Sequence, residues 1–100
     1  MANQVFDPFG GNLTASAIAR SKAFYCPANS KINLNFSATA SVKIISNPFA
    51  DNNTNAKDVV LSTVAASGEF VIAAASVIVL DCTANTGTVI ARAVLNGGNF

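Results

Sequence analysis

From Lys31 to Ser37 the chain alternates apolar and polar residues without a break, with Ile32, Leu34 and Phe36 on one side and Asn33, Asn35 and Ser37 on the other. Successive side chains of a strand point to opposite faces, so a period of two suits a strand with one buried and one wet face and rules out an amphipathic helix. The pattern returns at Ser41-Val42-Lys43-Ile44, and 31–38 with 40–46 reads as a hairpin or a bent meander. Further β-branched and apolar runs follow at 57–64, 69–73, 76–82 and 86–95. Turn signals separate them: Cys26-Pro27-Ala28-Asn29-Ser30, Asn47-Pro48, Asp51 to Asn55, Ser67-Gly68 and Asn85-Thr86-Gly87. Leu13 to Cys26 also alternates (Ile18 and Phe24 against Arg20 and Lys22), though its Ala-rich start fits a helical turn equally well. About seven or eight short strands at this spacing predict an all-β fold, a single small antiparallel sandwich or jelly-roll-like barrel.

Two segments depart from a simple one-sided sheet. Val77-Ile78-Val79-Leu80 is apolar on both faces, where an antiparallel strand with one wet face should alternate. Either a second layer of this chain covers it or a neighbouring subunit does. Residues 1–12 carry Phe6, Pro8 and Phe9 but no strand pattern, and they read as an extended N-terminal arm before a sandwich at 13–96 and a short tail at 97–100. An arm with two Phe and only Asp7 for charge is poorly suited to water. It docks, and two readings stay open: on its own domain, or on a neighbour. Asn47-Pro48-Phe49-Ala50 and Asp7-Pro8-Phe9-Gly10 each set a Phe behind a stiffening Pro, either as an anchor for a neighbour's pocket or as a plug for the end of the sandwich. The candidate assembly contacts are therefore Phe6, Pro8, Phe9, Phe49, Val77 and Val79.

Composition excludes more functions than it suggests. The 100 residues hold 6 Lys+Arg, 5 Asp+Glu and no His, and only 11% are charged; an average domain has roughly 25%. So few charges build neither a nucleic-acid footprint nor a basic membrane-binding patch. Without His there is no Ser-His or Cys-His nucleophile scheme and no common metal ligand. Cys26 and Cys82 are the only thiols, too few for zinc. Their spacing fits an immunoglobulin-like disulfide, but Trp is absent and Leu80 stands where the tyrosine corner belongs, so two buried reduced thiols are expected. Asp51-Asn52-Asn53-Thr54-Asn55 opens like a calcium loop, then fails at Ala56 and Ser62. Asp7, Asp51, Asp58, Glu69 and Asp81 suggest no catalytic pair, and no phosphate loop or nucleophile elbow is present. The expectation is a non-enzyme with no cofactor, metal or small-molecule substrate. The start, Met1 to Pro8, has neither a basic nor an apolar signal region, so use without export is expected. The uncharged stretch at the hydrophobic maximum, Phe70 to Leu80, is too short for a helical span.

An extended start is followed by Lys31-Ile-Asn-Leu-Asn-Phe, then Ser41-Val-Lys-Ile-Ile and an Asn-rich loop. After that come Ser67-Gly-Glu-Phe-Val-Ile, Val77-Ile-Val-Leu and Thr86-Gly-Thr-Val-Ile-Ala-Arg-Ala-Val-Leu. This order, over residues 31 to 96, resembles the small β-sandwich virion proteins of tailed bacteriophages, of the capsid decoration or cement type. The resemblance is one of pattern and contains no diagnostic motif. It implies a structural protein made in the host cytoplasm and carried on the virion, a homotrimer that stabilises the shell by non-covalent contacts with the major capsid protein. It also implies that the N-terminal segment attaches to that shell. The alternatives are a carbohydrate- or receptor-binding module on a tail or fibre, for which one Tyr and no Trp make a poor kit, or another assembly role such as head–tail connector or tube subunit.

Overall fold

The computed structural model describes residues 4–14, 17–47 and 58–96, and every regular element among them is a strand. The strands are β1 (Gln4–Phe6), β2 (Ala19–Arg20), β3 (Phe24–Cys26), β4 (Ser30–Phe36), β5 (Ala40–Ser46), β6 (Val59–Val64), β7 (Gly68–Ile72), β8 (Ser76–Asn85) and β9 (Val89–Leu95). They form two antiparallel sheets, as a small β-sandwich requires. The first runs β1-β9-β4-β7, and the second runs β2-β8-β5-β6 with β3 also paired to β8.

Alternation does what it should in both sheets. Ile32 and Leu34 of β4 and Ala91 and Ala93 of β9 face Val42 and Ile44 of β5 and Ile78, Leu80 and Cys82 of β8, all at 4% exposure or less. The expected hairpin over 31–46 does not form. β4 pairs with β7 and β9, whereas β5 pairs with β6 and β8 in the opposite sheet. Both strands carry a full apolar face, and placing them in opposite sheets lets those faces meet across the core instead of lying side by side. The link Ser37-Ala38-Thr39 therefore crosses between the sheets. It is pinned by the Ser37 amide donating to the Thr88 carbonyl (3.0 Å) and the Thr86 amide donating to the Thr39 carbonyl (2.9 Å). Gly87 faces this link closely: a Cβ there would stand 2.9 Å from the Ala38 Cβ, so only glycine fits without a shift.

The turn at Pro27-Ala28-Asn29-Ser30 forms as expected, with Asn29 left-handed (φ 67°), a conformation Asn tolerates better than most residues. The Leu13 to Cys26 segment supplies β2 and β3, both laid on β8. The Ser21 hydroxyl accepts from the Leu80 amide (2.9 Å) between them, which keeps this short edge registered. The start of the chain is less arm-like than its sequence. Gln4–Phe6 is an edge strand antiparallel to β9, with Val5 opposite Val94 and Phe6 opposite Ala93. Phe49, the Asp51 to Asn55 run and the 97–100 tail lie outside the described residues.

Candidate association surface

The two flanks of the sandwich differ. On one, the edge strands β1 and β3 come from opposite sheets, and the Phe6 and Phe24 rings bridge them with centroids 5.0 Å apart. Phe9 and Leu13 pack on the same core, Leu13 exchanges both backbone hydrogen bonds with Val89 (2.9 and 2.8 Å), and Arg92 reaches Asp7 at 3.5 Å. That flank is closed by the chain itself. On the other flank the edge strands are β6 and β7, joined by Ala65-Ala66-Ser67 and paired only inward, to β5 and β4. Among the described residues no strand closes the gap between them.

The open flank is built from residues that ordinarily lie inside. Val59, Val60 and Leu61 of β6 are 58%, 48% and 44% exposed, and Val71 of β7 is 47% exposed. A bulge puts the extra residue, Leu61, between Val60 opposite Ile45 and Ser62 opposite Ile44, and so turns a leucine outward. Phe70, facing Ile32 across the ladder, is half-buried in the mouth between the sheets. On one side of it a cleft of about 490 Å³ is lined by Leu61, Ile72, Ser46 and the Ala73-Ala74-Ala75 triplet. On the other, a cleft of about 180 Å³ is lined by Leu34, Val64 and Ala66. From Val59 to Ser76 the sequence holds a single charge, Glu69, and no Pro. Glu69 faces outward from the first sheet toward Lys31 at 4.0 Å, a half-exposed pair that contributes little. The Lys, Pro and inward charges that usually guard exposed edges are missing here.

The sequence-nominated contacts fall elsewhere. Phe6 and Phe9 pack against this chain's own core, and Pro8 between them is buried. Val77, half-buried, stands opposite Tyr25 on the outer face of the second sheet. Val79 shares that face but is fully buried, beside Ile45 at 1% exposure. Of the two readings of the doubly apolar Val77–Leu80 run, cover comes from this chain, because Val79 is shielded with no neighbour present. The registers place Arg20, Lys43 and Asp81 on the same face. Arg20 donates from Nη1 and Nη2 to Asp58 Oδ2 and Oδ1 (2.8 and 2.6 Å), and Asn47 Nδ2 donates to Asp58 Oδ1 (2.9 Å). The Arg20 guanidinium holds the Asp58 carboxyl below the usual carboxylate range, against the opposing effect of burial.

Cys26 and Cys82 are both buried and free. Cys26 lies opposite Ser76, six residues along β8 from Cys82. That is about 20 Å of strand, far beyond the reach of a disulfide. Burial pushes the Cys26 thiol up to about 12 and also raises that of Cys82, so neither is a ready nucleophile. Among the described residues no three His, Cys, Asp or Glu side chains gather as a metal site. No helix among them is long and apolar enough to cross a membrane.

Comparison with protein families, characterised proteins and solved structures finds no match to this chain. The surface is therefore read from its own chemistry. Its residues were visible in the sequence as the apolar run at 57–64, but a β-branched run reads equally well as a buried strand. Strand order alone put that run at an edge.

Proposed function

We propose that this chain is a structural protein of an assembled particle, working by non-covalent coverage of uncharged surface and catalysing nothing. The observation that carries the reading is the open β6/β7 flank: four large apolar side chains between 44% and 58% exposed, on two strands that end their sheets among the described residues. Such a flank left in water is an aggregation hazard. Covered in an assembly, it contributes about 25 cal/mol for each Å² of apolar area removed from water. Being almost uncharged, the contact would also be insensitive to salt.

The resemblance to capsid-decorating sandwiches supplies the setting, a virion shell whose major capsid protein is the partner. There the mechanism is mass action, since a protein that binds only the assembled shell stabilises it. The test is co-sedimentation of the purified chain with undecorated shells of its own particle, at low and high salt. Saturable binding that holds at high salt is the expected result. No binding, or binding that salt abolishes, overturns the reading.

A further inference from the structure

We infer that the open β6/β7 flank is covered by a second copy of this chain, paired edge to edge about a two-fold axis to make a homodimer. The inference rests on reading that flank as a covered one, and it names the partner.

Three observations favour a second copy. The first is closure. The Phe6–Phe24 bridge ties the two sheets together along one flank, and among the described residues no such bridge joins β6 to β7. A side that meets its own image makes an isologous contact, which ends at two copies. This departs from the trimer implied by the resemblance, because a three-fold ring needs two different complementary sides.

The second is charge. Val59–Val64 contains no ionisable residue, so two antiparallel copies of β6 bring no like charges together in any register. Glu69 lies on β7 rather than β6, on the outer face of the first sheet beside Val71 and 4.0 Å from Lys31. A partner with the ordinary charge density of a protein surface would have to desolvate those charges against valine and leucine. An identical flank would not.

The third is area. β6 has 6 residues, so it is about 20 Å long, and the molecule is 20 Å across its thinnest dimension. The plan of the flank is then roughly 400 Å², short of the ~800 Å² per partner of a standard interface. Side-chain contact alone would be weak. Strand pairing adds main-chain hydrogen bonds along both edges, and the two second sheets then become one continuous sheet through the dimer.

The test is light scattering behind size exclusion on the full chain, diluted through the micromolar range. A species of about twice 10.2 kDa that dissociates on dilution is expected. Val59→Lys with Leu61→Lys should weaken association roughly 100-fold or more, by setting like charges across the seam. Ile18→Lys, at the more exposed Ile18 (63%) away from the flank, should leave it unchanged. If the double variant does not fold, Val60→Lys, also on β6 and 48% exposed, serves the same purpose. A monomer throughout, a trimer, or a dimer indifferent to both sets of substitutions overturns the inference. The two proposals fail separately. A monomer that still binds shells defeats the dimer alone, and a dimer that ignores shells defeats only the structural role.

Discussion

At the scale of single residues, Asp58 and the two cysteines are the informative side chains. Asp58 holds Arg20 through two hydrogen bonds and Asn47 through a third, with its side chain only 8% exposed. Its carboxyl is depressed, so it contributes stability above its unfolded pKa and loses it as pH falls through and below about 4. Asp58→Asn should cost about 2 kcal/mol at neutral pH, a figure lowered from the deeply buried case because the pair lies near solvent. Urea titration at pH 7 and at pH 3 checks this: the gap between variant and parent should shrink in acid. The thiols behave in the opposite sense. Their raised folded-state values favour the protonated form, so that contribution is present below pH 9.0 and fades as pH climbs toward about 12. A thiol reagent at pH 8 should titrate neither cysteine in the native protein and both in denaturant. Rapid native labelling would contradict the burial described here. Neither partner of Asp58 was legible in the sequence, because Arg20 lies 38 positions away and only the crossing of the second sheet's outer face brings it near.

At the scale of elements, the period of two located nearly every strand, because each long strand has one face on the core. It could not pair them. The same alternation serves a hairpin within one sheet or an arch between two, and 31–46 forms the arch. It also missed β1, three residues too short to show a period, whose edge position depends on β9 being there to receive it. This changes what the N-terminal segment is for within the molecule. Phe6 packs on Phe24, Phe9 on the core and Pro8 is buried, so the segment closes one flank. Deleting residues 1–12 should lower the melting temperature, and Phe6→Ala alone should cost roughly 2 kcal/mol, below the fully buried range because the ring is half-exposed. Unchanged melting for both variants, followed by calorimetry, would return the segment to the role of a loose arm.

At the scale of the whole molecule, the composition was legible and its placement was not. With 11% charged residues, uncharged surface had to exist somewhere. The aromatic pairs behind proline drew attention to Phe9 and Phe49, but Val59, Val60, Leu61 and Val71 are exposed on β6 and β7, strands that are last in their sheets with nothing in the described chain beyond them. An edge is a property of strand order, which depends on how the nine described strands are assigned to two sheets. The account's central claim is that this flank is covered by a second copy of the chain. Amide hydrogen exchange of β6 and β7 tests it most directly, comparing dilute with concentrated protein and taking the interior strands β4 and β8 as reference. Protection that rises with concentration on β6 and β7 while the reference strands stay constant is predicted. Equal, rapid exchange of the β6 edge at every concentration would contradict the claim.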